Sequence, residues 1–132
     1  MKADRGGRFP IHYEALAGQI DKLVQSLAAG GDPSAPDDAG FTPLHFAAQS
    51  LNAEAVRLLV DAGADLEARN KFGATPLMIA FLNARADDHG VIGILIEAGA
   101  DLDAKNIAGI SPRQAAEMVG NYDLKKYIPP GK

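Results

Sequence analysis

The chain has 132 residues, 47% of them hydrophobic, which is the size and composition of one folded domain rather than of a disordered chain. Its formal net charge of −4 at pH 7 disfavours a surface for nucleic acid and a polybasic membrane-binding segment. The chain has no cysteine, no apolar run long enough to span a membrane and no apolar stretch near Met1 that resembles a secretory signal. We therefore expect a cytoplasmic protein without disulfides or thiolate metal sites.

Four similar segments follow one another along the chain. They are centred on Pro10, Pro43, Pro76 and Pro112, which are separated by 33, 33 and 36 residues. The most complete copy is Gly-Phe-Thr-Pro-Leu-His-Phe-Ala-Ala at residues 40–48. A period near 33 residues indicates an array of repeated structural units in a single domain. We place the four units at about residues 4–36, 37–69, 70–105 and 106–128, followed by a frayed tail at 129–132.

Each unit is predicted to contain a turn, a short helix, a longer helix and a loop. The unit opens with Asp or Asn three residues before a Gly, which is turn chemistry. Thr42, Thr75 and Ser111 each precede the repeated proline, a pattern typical of a helix N-cap, whereas Phe9 in unit one supplies no cap. Gly63 follows the second helix of unit two and is expected to end it in the left-handed conformation.

This pattern resembles that of ankyrin-repeat proteins, over about residues 4–128. Unit two carries the resemblance most completely, at Asp37, Gly40, Thr42, Pro43, Leu44, His45, Ala47, Ala48, Gly63, Ala64 and Asp65. The resemblance implies an all-α solenoid of four helix-turn-helix units with short β-hairpin-like loops. It also implies a non-enzymatic module that binds a partner protein through a concave face formed by the hairpin tips and first helices.

The terminal units are predicted to be caps with polar outer faces. In unit one, Lys22 and Ser26 stand where unit two has an alanine and a leucine in its second helix. In unit four, Arg113 replaces the leucine that follows the repeated proline, and Lys125 replaces a valine. These changes argue against a fragment of a longer array, because an internal unit needs two apolar faces.

Unit three is irregular because it contains three extra residues, which lie near residues 83–89 between its two helices. The segment is polar, so it is either a tolerated surface insertion or a protruding element that adds to a binding surface. Asp87, Asp88 and His89 within it raise the alternative of a metal-dependent or catalytic protein, although three adjacent residues rarely converge on one metal ion. Phe81 stands where unit two has alanine, and we expect its ring to push the helices apart.

His12 and His45 occupy the same repeat position. In ankyrin proteins this histidine usually forms a local hydrogen bond that holds the turn of its own or the next unit, so we expect a structural role. Asp32, Asp65 and Asp101 recur with the repeat and are expected to brace loop backbone. The sequence therefore predicts no catalytic site, no metal site and no cofactor.

Some positions of the concave face are not required by the repeat pattern for folding. The residues at these positions are the candidate protein-binding residues. Five of them are large and apolar, which is typical of interaction surfaces, although any one could instead fold back over a neighbouring hairpin. The candidates are Arg8, Asp38, Phe41, Gln49, Ser50, Lys71, Phe72, Leu82, Asn83, Arg85, Ile107 and Ile110.

The partner is expected to be another protein of unknown identity, and neither nucleic acid nor a membrane. The capped array favours a monomer over a homodimer. A short, cysteine-free chain of this kind resembles small free-standing bacterial ankyrin proteins, some of which are immunity-type inhibitors of toxins. This resemblance suggests an inhibitor that acts by covering the surface of its target.

Overall fold

The computed structural model of the protein describes residues 3–84 and 90–118, which form seven α-helices and no β-strand. The helices are α1 (Pro10–Ala17), α2 (Ile20–Ala28), α3 (Pro43–Gln49), α4 (Ala53–Asp61), α5 (Pro76–Asn83), α6 (Val91–Glu97) and α7 (Pro112–Met118). The first helix of every unit thus begins at the repeated proline, as predicted. Arg85, Lys125, the Asp87 to His89 segment and the tail at 129–132 lie outside the described residues.

The helices stack in two layers. The first helices contact one another in series, α1 with α3, α3 with α5 and α5 with α7. The second helices form the other layer, α2 with α4 and α4 with α6, and each second helix also packs on the first helix of its own unit. This arrangement is a solenoid of helix-turn-helix units, so the predicted fold class is confirmed.

Local chemistry at the helix ends explains where the helices start and stop. The hydroxyl groups of Thr42, Thr75 and Ser111 each accept a hydrogen bond from the backbone N–H three residues on, at 3.3, 3.4 and 3.1 Å. Phe9 makes no such side-chain bond, as predicted for unit one. Gly63 follows α4 with φ of +90°, the left-handed geometry expected of a helix end.

The hairpin tips are built on the repeated Asx residues. In each unit one side-chain oxygen accepts hydrogen bonds from the N–H groups two and four residues on, at 2.9 to 3.0 Å. The four residues are Asp4, Asp37, Asn70 and Asn106. One backbone hydrogen bond of 2.8 to 3.0 Å joins each tip to the next. The donors are the N–H groups of Asp38, Lys71 and Ile107. The acceptors are, in the same order, the carbonyl groups of Gly6, Ala39 and Phe72.

The core runs continuously through the described units between the two helix layers. Leu44, Leu77 and Leu95 are fully buried within it, and alanines such as Ala47 allow the first helices to approach closely. Phe81 is also fully buried, and α5, which carries it, still packs against α3, α6 and α7. The structure therefore accommodates the extra ring inside the array.

The outer face of unit one is polar. Lys22 is exposed, whereas its counterpart Ala55 in unit two is fully buried. Ser26 is half-buried, and its hydroxyl donates a 2.6 Å hydrogen bond to a carboxylate oxygen of Glu14. Both residues agree with the predicted cap.

The described first helix of unit four, α7, carries more polar residues than the sequence prediction named. Arg113 is half-buried and its Nε donates to Asp103 Oδ1 at 2.9 Å. Gln114 and Glu117 are exposed, although the residues at the same positions of unit three are fully buried. Alignment of unit four with unit three was the signal that could have identified these two residues.

Candidate functional site

Large apolar side chains are exposed at the hairpin tips and first-helix ends of units three and four. Phe72 is 50% exposed and Ile107 is 76% exposed, on two adjacent hairpin tips. Leu82 at the end of α5 is 56% exposed, and Met118, at the same position of α7, is 69% exposed. We call these four residues the apolar patch. Three of them were predicted as binding residues, and Met118 is added by its repeat position.

Phe41 and Ile110, two other apolar candidates, are half-buried against the core. The ring of Phe41 lies 5.5 Å from that of Phe46 at an interplanar angle of 23°, and 5.6 Å from the ring of His45. For these two residues the structure therefore shows the alternative arrangement, in which the side chain folds back on its own array.

Arg8 connects units one and two. Its Nε donates a 3.0 Å hydrogen bond to the buried carboxylate of Asp37, and its guanidinium carbon lies 5.1 Å from the centre of the Phe46 ring. The hydrogen bond to Asp37 raises the pKa of Arg8, so the charge is fixed. Arg8 thus has a structural role in the described chain, in addition to any role at the surface.

The remaining polar candidates are exposed. Ser50 donates from its hydroxyl to the carbonyl of Ala47 at 3.2 Å, and Asn83 donates from its amide to the carbonyl of Ile79 at 2.8 Å. The side chains of Asp38 and Gln49 make no hydrogen bond within residues 3–84 and 90–118. Arg85 lies outside the described residues, so its placement stays a prediction.

Three cations lie on the same two hairpins as Phe72 and Ile107. The Nζ atom of Lys71 lies 5.1 Å from the centre of the Phe72 ring. Arg69 uses Nη1 to donate to the carbonyls of Gly73, at 3.3 Å, and of Lys105, and so ties the third hairpin to the fourth. Lys105 is itself exposed. We call Arg69, Lys71 and Lys105 the basic cluster. Only Lys71 was predicted, although all three flank predicted hairpin tips in the sequence.

The two histidines are structural, as predicted. In His45 the Nδ1 atom accepts from the backbone N–H of Thr42 at 3.1 Å, so Nε2 carries the proton and donates to the carbonyl of Ala74 in the next unit at 2.8 Å. In His12 the Nδ1 atom accepts from the backbone N–H of Phe9 at 2.9 Å, and Nε2 donates to the carbonyl of Ala35 at 2.7 Å. Burial lowers the pKa of His45, and the hydrogen bond to Ala74 opposes this only in part.

The His45 geometry predicts a pH-dependent stability. The folded-state pKa of His45 lies below the unfolded value of 6.5, so protonation favours the unfolded chain. The neutral imidazole should contribute its full stability above about pH 6.5 and lose it progressively as the pH falls toward the folded-state pKa. We expect the midpoint of urea unfolding to fall between about pH 7.5 and pH 5.5 by more in the wild type than in His45→Gln.

Glutamine is a suitable replacement because Gln114 occupies this repeat position in unit four and accepts from the N–H of Ser111 through Oε1 at 2.9 Å. Every other titratable group of the chain is present in both proteins, so the difference between the two pH profiles reports on His45. Identical profiles would contradict a depressed histidine pKa.

Neither a metal cluster nor a membrane-spanning helix is found in the described part of the chain. No group of at least three His, Asp or Glu residues there is placed to hold a metal ion. No described helix has the length and apolar character needed to cross a membrane. The alternative based on Asp87, Asp88 and His89 falls on residues that the structure does not describe.

A cavity of about 330 Å³ lies in unit one. It opens where Ser26 replaces the buried leucines found at this position in units two and three, Leu59 and Leu95. Its lining is formed by Phe9, Pro10, Ile11, Ser26, Ala29, Gly30, Gly31, Asp32 and Ala35. Asp32 is the only acidic or basic residue among those that line it.

Stacked helix pairs joined by hydrogen-bonded hairpins define a repeat protein of the solenoid class, which presents an extended surface. A comparison with protein families matches residues 11–106 to ankyrin repeats in three copies, and the chain belongs to that family. Helix α7 of the fourth unit lies beyond the match. Ankyrin repeats are generally protein–protein interaction modules and are typically non-enzymatic. Comparison with curated proteins gives no match.

Proposed function

We propose that the chain is a non-enzymatic module that binds a partner protein through its concave face, with the apolar patch at the centre of the contact. One observation carries the proposal. Six large hydrophobic side chains are exposed in the described part of the chain, and four of them lie at hairpin tips or first-helix ends of units three and four. Exposed large apolar side chains that are concentrated on adjacent repeats mark interaction sites.

The patch is held by rigid elements. The backbone N–H of Ile107 donates to the carbonyl of Phe72 at 3.0 Å, which fixes one hairpin tip relative to the other. Leu82 and Met118 end two helices that pack on each other, α5 and α7. A surface that is ordered before binding loses less conformational entropy when the partner docks, so this placement supports tight binding.

Phe72, Leu82 and Ile107 are accordingly the proposed anchors among the candidate residues. Phe41, Ile110 and Arg8 support the face by packing beneath or beside it. The exposed polar candidates form its rim, where contacts contribute less to affinity. These rim residues are Asp38, Gln49, Ser50, Lys71 and Asn83.

The proposal predicts the result of an affinity capture from the source cell. The triple variant Phe72→Ala, Leu82→Ala and Ile107→Ala should lose at least about tenfold in affinity for the captured partner, because truncating an anchor commonly costs about 2 kcal/mol. Quantitative capture, followed by titration of the purified partner, measures this. The variant Val24→Ala is the matched control, since this side chain is exposed and apolar but lies outside the patch.

Circular dichroism of all three proteins would verify that the fold is retained. Equal binding by the triple variant and the wild type would contradict the proposed face. An equal loss of affinity in the triple variant and in the control would instead show nonspecific adsorption through apolar surface.

The narrower proposal is that the chain is a monomeric, cytoplasmic bacterial protein that inhibits a toxin by covering its surface. The small size of the array and its polar outer faces at Lys22, Arg113 and Glu117 support this by analogy with other small ankyrin proteins. Coexpression with the product of the neighbouring gene tests it. Rescue of growth by the wild type but not by the triple variant is expected, and rescue by neither protein would contradict an inhibitor role.

A further inference from the structure

We infer that the segment recognised by the concave face is acidic as well as apolar, with a carboxylate next to the side chain that docks on the patch. This inference rests on the proposed function, because it concerns the same surface. The basic cluster carries it, since Arg69, Lys71 and Lys105 lie on the two hairpins that present Phe72 and Ile107.

No cation of the cluster is paired with a carboxylate in the described part of the chain. Within residues 3–84 and 90–118 the ion pairs are Arg8 with Asp37 and Arg113 with Asp103, and none of the three cations of the cluster takes part in one. The nearby carboxylates have other partners, because Glu67 accepts from the N–H of Asp101 at 3.0 Å and Asp103 pairs with Arg113. Such local charge is available to a complementary partner.

Two of the cations are held in position. Lys71 lies over the ring of Phe72, and Arg69 is fixed by two backbone carbonyls. Both of those bonds use Nη1 of Arg69, so its Nε and Nη2 atoms keep their hydrogens for another acceptor. A carboxylate that approaches the tips would meet donors that are already oriented, beside a ring that an apolar side chain can cover.

A protein segment fits this surface better than a nucleic acid. Phosphate recognition is dominated by many cationic contacts, and a chain with a net charge of −4 that has three such groups at or beside these two hairpin tips offers few. The exposed side chains of Ile107 and Phe72 instead require an apolar counterpart within the same ligand. The chemistry specified is therefore a peptide segment with Asp or Glu close to a large apolar residue.

Selection of random peptides displayed on phage against the immobilised full chain tests this inference. We expect the selected peptides to be enriched in Asp or Glu beside Leu, Ile or an aromatic residue. For the best peptide, made synthetically, the double variant Lys71→Gln and Lys105→Gln should bind roughly fivefold more weakly at low salt, with a smaller difference at high salt. Lys22→Gln, which removes an exposed cation from α2, is the matched control and should bind as the wild type does.

The outcomes separate the inference from the proposed function. Selected peptides that lack acidic residues but lose binding in Phe72→Ala and Ile107→Ala would overturn the inference and leave the binding face intact. Peptides that bind regardless of both sets of substitutions would overturn both. Failure to enrich any peptide, or tighter binding of a single-stranded oligonucleotide than of the best peptide, would also overturn the inference.

Discussion

Replacing Phe81 with alanine is expected to lower the free energy of unfolding by about 3 to 5 kcal/mol, because the fully buried ring would leave a cavity in the core. The ring lies on α5, which packs against helices of all the neighbouring units described, so no single neighbour can close the space by itself. The loss is a large fraction of the typical stability of a domain this size. Urea unfolding followed by circular dichroism measures it.

The adjacent residue supplies the control. Leu82 is 56% exposed at the end of the same helix, so Leu82→Ala should change the stability by less than about 1 kcal/mol while weakening partner binding. Unit two carries Ala48 at the position of Phe81 and buries it fully, which shows that a repeat of this fold can be built around a small residue. A loss below about 1 kcal/mol in Phe81→Ala would mean that unit three collapses to the same packing.

The sequence predicts the fold well where the determining chemistry is local. Thr42 and Thr75 cap helices because their hydroxyl groups reach a backbone N–H three residues on, and each repeated Asx residue reaches two N–H groups of its own turn. These interactions need only a short stretch of chain and recur whenever that stretch recurs. The period, the helix starts and the hairpin turns were therefore predictable from one sequence.

The exposure of individual side chains was less predictable because it depends on packing that the repeat pattern does not specify. Phe41 follows the turn glycine of unit two, whereas Phe72 precedes that of unit three, and both were candidates for the binding face. Phe41 is half-buried and stacks on Phe46, as Ile110 at the same repeat position is half-buried, whereas Phe72 is half exposed beneath Lys71. The choice of positions that the repeat leaves variable did not separate these two arrangements.

The basic cluster is a second feature that required the structure. Lys71 was predicted from its place at a hairpin tip, but Arg69 and Lys105 belong to the loops between units. Their relation to the tips depends on the bonds from Arg69 to the carbonyls of Gly73 and Lys105, the second of which joins the third hairpin to the fourth. The register between adjacent hairpins sets that contact, and the sequence of neither hairpin alone encodes it.

Gly40→Ala is expected to destabilise the protein by about 2 to 4 kcal/mol, although it adds only one methyl group. The residue has φ of +78°, which disfavours any L side chain, and an added Cβ would lie 2.9 Å from Cα of Asn70 and 3.2 Å from the carbonyl oxygen of Arg69. Both contacts are to backbone atoms of the next hairpin, so a rotamer change cannot relieve them. The second and third hairpins would have to separate.

Gly63→Ala isolates the contribution of this contact between units. Gly63 belongs to the same unit and has φ of +90°, but an added Cβ would meet no atom within 4 Å. The strain of the left-handed conformation is common to both variants. Gly63→Ala should therefore lower the free energy of unfolding by only about 1 kcal/mol, measured by the same urea unfolding. Equal losses in the two variants would show that backbone strain alone explains the glycine at the turn.

The Gly40 substitution should also affect partner binding, although Gly40 is not part of the apolar patch. The backbone bond from Lys71 to the carbonyl of Ala39 joins the second hairpin to the third, and Lys71 lies over the ring of Phe72. Separating the hairpins at Gly40 would shift Lys71 and Phe72 relative to unit two. We therefore expect Gly40→Ala to weaken partner binding at a temperature where it remains folded, whereas Gly63→Ala should bind as the wild type does. We therefore expect the turn glycine to set the geometry of the proposed binding face through its close approach to the next hairpin.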